Sequence, residues 1–122
     1  MLHKFIRASL AGAMALISVS AFADIAPFSL PWMNQSPRDV YKMENHPNGV
    51  FVLEMYFRTC PYCNDNAPNV DRLSADHAGE PRVQVLDVGI DRNDVDYDRW
   101  IQAHHPNHPV LKDANRVIAG EL

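Results

Sequence analysis

Apolar positions along this chain fall into separate runs, each with its own period. Val50 to Phe57 reads Val-Phe-Val-Leu-Glu-Met-Tyr-Phe, almost continuously apolar. Such a run predicts a strand buried on both faces. Val83 to Ile90, Val-Gln-Val-Leu-Asp-Val-Gly-Ile, predicts a second. Between them, Tyr62 to His77 predicts a helix with Val70 and Leu73 facing inward. Pro61 suits its first turn, Pro68 predicts a kink, and Gly79 marks its end. Strand, helix and strand in this order predict a βαβ unit, with parallel strands and a right-handed crossover.

The flanks are less regular. Asp24 to Pro37 carries Pro27, Pro31 and Pro37 and predicts an extended lead-in. Ser36 as N-cap and Pro37 at the first helical position predict a short helix reaching Glu44. His46-Pro47-Asn48-Gly49 predicts a turn. After the second strand, Asp94 is expected to cap a helix with Tyr97, Trp100 and Ile101 on one face. The run His105 to Pro109 breaks it. Val110 and Leu111 are expected to be a short extended link. Asp113 is expected to cap a last helix carrying Ala114, Val117, Ile118 and Leu122. Trp32, Trp100 and the methionines are most simply core residues.

The first stretch has the pattern of an export signal rather than of a fold. His3, Lys4 and Arg7 precede an apolar run from Ala8 to Val19, and Ala21-Phe22-Ala23 supplies small residues for cleavage after Ala23. The expected organisation is a signal peptide over 1–23 and one domain over 24–122, placed in the periplasm or otherwise outside the cytoplasm. The apolar run is too short for a comfortable span, so membrane association is expected only if the signal stays uncleaved. The composition, 47% hydrophobic and 21% charged with a net charge of −4, is ordinary for a globular domain. Lys and Arg are scattered and outnumbered, which argues against nucleic acid as a partner.

The two cysteines, Cys60 and Cys63, both follow the signal and would meet an oxidising compartment. A structural disulfide gains most by closing a long loop. A Cys-x-x-Cys pair closes a very short one, so it suits chemistry better than stapling. Its position directly after a buried strand puts Cys60 at a helix N-terminus, where free N–H groups and the helix dipole favour a thiolate. That thiolate can attack a disulfide, and Cys63, one turn on, can resolve the mixed disulfide. Arg58 either adds positive potential or points into solvent.

These residues resemble a known family. Val50 to Leu73, and more loosely on to Ile90, is similar to thioredoxin, and Cys60-Pro61-Tyr62-Cys63 is similar to the glutaredoxin motif. Glu54 stands six residues before the first cysteine, where thioredoxins carry a buried acid. Pro68 stands five after the second, where they carry a helix-kinking proline. The resemblance implies an α/β, thioredoxin-like fold, a central mixed sheet with flanking helices. It implies thiol–disulfide oxidoreductase activity without a cofactor. The partners would be protein thiol or disulfide substrates and an upstream electron donor or acceptor of the thiol–disulfide type. Burial in an apolar strand should raise the Glu54 pKa, and the implied role is to take the proton from Cys63. The other reading makes Glu54 the mark of an exposed strand edge. Thr59 replaces the usual Trp before the first cysteine, and Tyr62 departs from Gly-Pro, so substrate surface and redox potential do not carry over.

The family also places a cis-proline against the disulfide, followed by a hairpin and a helix. Pro109, preceded by His108, is the candidate here. Val83 to Leu122 more closely resembles extracytoplasmic thioredoxin-like reductases of the TlpA/ResA type. On that likeness the chain is expected to stop before the cis-proline and to lack the C-terminal hairpin and helix. The same likeness favours a reductase. Two other function classes compete. Cys60 and Cys63 have zinc-type spacing, with His104, His105 and His108 downstream, but a helix-starting Cys-Pro-Tyr-Cys is not a zinc knuckle, so no metal is expected. A non-catalytic interaction module with this fold is the other, and the cysteine pair and Glu54 argue against it. Asp91, Asp94, Asp96 and Asp98 lack the Gly and terminal Glu of a calcium loop and are expected to be a solvated helix start.

Overall fold

The computed structural model describes residues 25–121. The expected signal over 1–23 lies outside the described residues. The two apolar runs form β3 (Val50–Tyr56) and β4 (Val83–Gly89), paired in parallel from Val50↔Val83 to Tyr56↔Gly89. The helix between them, α1 (Pro61–Asp76), contains Pro68 and buries Ala67 and Val70. The second helix, α2 (Asp94–His104), buries Tyr97 and Trp100. Its N-cap is Asn93, one residue earlier than expected, with Asp94 and Asp96 in the first turn where the helix dipole favours them. His105 ends it in the left-handed region.

The flanks depart from the sequence expectations in three places. The helix expected from Ser36 to Glu44 is instead the second half of a hairpin, β1 (Ser29–Trp32) with β2 (Asp39–Lys42), followed by a 3-10 turn over Met43–Asn45. Ser36–Pro37 is a cis bond in the connecting loop. Burial explains the preference: Tyr41 faces the core and rests on Phe28 and Trp32, while Val40 and Lys42 face out. That is a period of two, not of 3.6. Met43 N donates to the Phe28 carbonyl, so the ladder places Pro31 opposite Val40 at a non-hydrogen-bonded pair. Its missing N–H therefore costs no bond to β2.

The second departure is Val110–Leu111, which is not a link but β5 (Val110–Lys112), lying between β4 and β1. Three residues suffice because bonds outside the strand extend the ladder. Asp87 N donates to the Pro109 carbonyl, Asp113 N to the Gly89 carbonyl, and Met33 N to the Val110 carbonyl. Val110 and Leu111 are fully buried. The third is the expected last helix, which is a series of turns in the described residues. Asp113 does cap, but its carboxylate takes the N–H groups of Val117, Ile118 and Ala119 in a compact loop, and Arg116 is left-handed.

The sheet order is β2-β1-β5-β4-β3, mixed, with the hairpin antiparallel and β5, β4 and β3 parallel. β3 stands at one end, paired along a single edge among the described residues. Both crossovers step the same way across the sheet, so both helices cover one face. There Tyr56, Ala67, Tyr97, Trp100 and Val110 form one core, with Cys63 packed against it. The other face holds Phe28, Leu30, Tyr41, Leu86, Val88, Leu111 and Ile118. Gly89 is needed where the helices approach: a Cβ there would lie 2.5 Å from Tyr97 and 2.9 Å from Tyr56. Gly89→Ala is expected to cost about 1–3 kcal/mol through overpacking, read as a lowered denaturation midpoint with an unchanged slope.

His105 and His108, both in the Pro-rich run after α2, sit in different environments. His105 is exposed, but His108 is buried. Its Nε2 lies 2.9 Å from Asp87 Oδ1, and its Nδ1 lies 3.2 Å from Asp71 Oδ1. Trp100 Nε1 donates to the other Asp87 oxygen at 3.0 Å. This brings β4, α1, α2 and the loop before β5 together around a buried carboxylate, whose burial the Trp100 hydrogen bond makes tolerable.

Candidate active site

The site is built where β3 ends. Phe57 to Thr59 turn the chain, Cys60 N donates to the Phe57 carbonyl at 3.0 Å, and α1 begins at Pro61. Pro61 fits because the first helical turn has no use for its N–H and its φ is already helical. Cys60 is the N-cap, with extended backbone angles. Its sulfur accepts from Cys63 N at 3.2 Å, the place a Ser or Asp oxygen takes in an ordinary cap. The first turn of α1 carries no acidic residue, so nothing there opposes the positive end of the helix. Cys60 and Cys63 form a disulfide with their Cα atoms 5.2 Å apart. Cys63 Sγ lies 4.0 Å from the Met55 carbonyl oxygen and touches the helix-side core.

The other sequence candidates fall around this pair. Tyr62, between the cysteines, is 87% exposed, and Phe57 is 43% exposed, so the disulfide is flanked by open aromatic surface. Pro68 is on the exposed side of α1. Glu54 is half-buried on β3, and its Oε1 accepts from Asn66 Nδ2 at 3.2 Å. Glu54 thus faces α1 from a strand that stands last in the sheet among the described residues. Pro109 is not brought to the disulfide. The cis bond among the described residues is Ser36–Pro37, and Pro109 shares a surface depression with Ser74 and His77, at the far end of α1. As the lead-in to β5, Pro109 uses its carbonyl in the sheet ladder.

Arg58 does not face the sulfurs as a free cation. Its Nε donates to Asp96 at 2.7 Å, and its backbone N–H to Asp91 Oδ2 at 2.8 Å. The acidic run before and within α2 is a set of partners: Asp94 pairs with Lys112 and Arg38, and Asp98 with Arg38. The Lys112 hydrogen bond holds the Asp94 carboxyl below the usual range. Among the described residues no group of three His, Cys, Asp or Glu side chains could hold a metal ion. Burial raises the Tyr56 and Tyr97 phenols well above their ordinary value, so both stay neutral beneath the site.

Two further residues join the site: Asn64, which the sequence did not single out, and His104, which it named only beside the zinc-type spacing. Asn64 Nδ2 donates to the carbonyls of Arg58, at 2.9 Å, and of Cys60, at 2.8 Å. Its Oδ1 lies 2.8 Å from His104 Nε2. No pattern in the sequence links Asn64 to His104, because only the packing of α2 beside α1 brings them together.

No family model and no curated protein matches the sequence. Solved structures do match the fold. One is a secreted Mycobacterium tuberculosis disulfide oxidoreductase homologous to E. coli DsbE, with a TM-score of 0.64 and 19% identity over 77% of this chain and 66% of that one. DsbF of the same organism matches with a TM-score of 0.65 and 19% identity, over 77% and 66% of the two chains. The thioredoxin domain of a Bacteroides vulgatus thiol-disulfide oxidoreductase matches with a TM-score of 0.65 and 14% identity, over 80% and 71%. The chain spans about two-thirds of the length of these structures. A βαβ unit with a disulfide at the strand-to-helix turn, on a mixed sheet shared with such structures, makes this a protein of thioredoxin-like fold.

Proposed function

We propose that this protein is an extracytoplasmic thiol–disulfide oxidoreductase that works as a reductase through Cys60 and Cys63. The observation that carries this is the disulfide at the N-cap of α1, with Cys63 N–H directed at Cys60 Sγ. The reduced pair begins the cycle. The Cys60 thiolate attacks one sulfur of a substrate disulfide; a Cys60–substrate bond forms, and the other substrate sulfur leaves as a thiolate. Cys63 loses its proton and attacks Cys60 Sγ, which closes the observed disulfide and releases the second substrate thiolate. Two electrons have passed to the substrate, and an upstream dithiol partner must return them.

Glu54 is the proposed proton acceptor for Cys63. Its carboxylate accepts from Asn66, one turn beyond Cys63 on α1, which turns it towards the helix that carries the sulfurs, and it takes the proton directly or through a water. Tyr62 and Phe57 offer apolar contact to the polypeptide around the substrate disulfide. The signal-like sequence pattern over 1–23 supports the extracytoplasmic reading.

Thiol trapping in graded glutathione buffers tests the reading. A single two-electron transition near about −270 mV is the expected result for a reductase. A transition near about −120 mV would make the protein a disulfide donor, and a chain with no reversible transition would end the catalytic reading.

A further inference from the structure

We propose that Asn64 and His104 are positioning residues that set the redox equilibrium of the Cys60–Cys63 pair. The inference rests on the thiol–disulfide reading above and deepens it. The amide of Asn64 has only one orientation available. Two carbonyl oxygens, of Arg58 and Cys60, lie within 2.9 Å on one side, and both can only accept. The Asn64 nitrogen must face them, so its oxygen faces His104 Nε2 at 2.8 Å. That oxygen accepts, and His104 must therefore carry a proton on Nε2.

His104 is itself held by the core. Its ring lies 4.2 Å from the ring of Trp100, which stacks on Tyr56 at 4.0 Å. Trp100 and Tyr56 are both about 1% exposed. The turn that presents the disulfide is thus referenced, through one amide and one imidazole, to a rigid aromatic stack. The Cys60 carbonyl receives both the side-chain and the backbone N–H of Asn64, the latter at 3.1 Å. That fixes the peptide plane between Cys60 and Pro61, and with it the place of Cys60 Sγ over Cys63 N–H.

This geometry does not favour the two redox states equally. A disulfide sulfur is a poor hydrogen-bond acceptor, whereas a thiolate is a charged one and gains roughly twice a neutral bond. Holding the N–H on the sulfur therefore stabilises the reduced form more than the oxidised form. The relay makes the pair easier to reduce and keeps the Cys60 thiol acidic.

The test measures the equilibrium with glutathione and the Cys60 thiol pKa in the full chain. Asn64→Ala is expected to shift the equilibrium about tenfold towards the disulfide, equivalent to about 30 mV, and to raise the thiol pKa. His104→Phe keeps a ring on Trp100 but removes the N–H, and is expected to shift both in the same direction. His104→Gln returns an N–H near the Nε2 position and is expected to restore them. The Asn64→Ala/His104→Phe double variant should match Asn64→Ala alone, since both act along one path. If Asn64→Ala does not fold, the contrast of Phe with Gln at position 104 decides. Variants that titrate within about twofold of a cleanly titrating parent, whatever their melting temperatures, would overturn the proposal. A parent with no two-electron transition removes the functional reading first, and the proposal falls with it.

Discussion

Cys60→Ser is expected to lower disulfide exchange to the background rate, while Cys63→Ser is expected to arrest the proposed cycle halfway. The asymmetry follows from position. Cys60 Sγ caps α1 and receives an N–H, so it is the sulfur whose thiolate the helix stabilises. A serine hydroxyl caps as well as a sulfur does, so the Cys60→Ser fold survives and the loss is chemical. Cys63 packs against the helix-side core beside the Met55 carbonyl and lacks the capping position that favours a thiolate at Cys60. Cys63→Ser therefore still takes the first step, and the mixed disulfide accumulates for want of a resolving thiolate. Turnover with glutathione disulfide and mass measurement under non-reducing conditions check both. A mixed disulfide forming on Cys63 in the Cys60→Ser chain would reverse the assigned roles.

Trp100→Ala is expected to be the most damaging substitution away from the cysteines. Trp100 is 1% exposed, stacks on Tyr56 at 4.0 Å, and donates to Asp87. Truncating it opens a cavity between α2 and the sheet, at about 3–5 kcal/mol. It also strips Asp87 of one of the groups that make its burial tolerable, which adds to the loss. Domains of this size have about 5–15 kcal/mol in all, so the melting temperature should fall on the order of 20 °C. Trp100→Phe keeps the stacked ring and loses the N–H, and should cost about 1–3 kcal/mol. Thermal denaturation of the two variants separates cavity from hydrogen bond. An alanine variant melting within a few degrees of the parent would remove Trp100 from the core that supports the site.

The parts of the molecule visible in the sequence are those whose signal is local. Val83–Gly89 is largely buried, while Val50–Tyr56 is half-buried with Val50 exposed, and both runs are long and mainly apolar, interrupted only by Glu54, Gln84 and Asp87. Cys60, Pro61 and Cys63 announce the strand-to-helix turn because the cap, the first-turn proline and the second sulfur all lie within four residues. What escaped depends on partners far along the chain. β5 has three residues, too few for any period, and is a strand only because β4 and β1 flank it. The segment after Ser36 carries helix-start residues, yet Tyr41 has an aromatic pocket to fill and the hairpin prevails. His108 sits in a Pro-rich stretch that suggests solvent, but two carboxylates from other elements surround it. Asn64 and His104 are separated by forty residues and meet only after both crossovers have formed.

Among the described residues β3 is paired along one edge only, so its two edges are unlike. Val50 N donates to Arg82 and Ile90 N to Tyr56, so the even-numbered residues turn their backbone groups towards β4. The amides of Phe51, Leu53 and Met55 point the other way. In a chain of the described residues, solvent deuterium should enter this strand with a period of two, quickly at the odd positions and slowly at the even ones. The same outward row is a template on which another extended polypeptide can add itself as a strand. Backbone pairing along that edge, by a further segment of this protein or by another chain, would run up to the turn that carries the sulfurs.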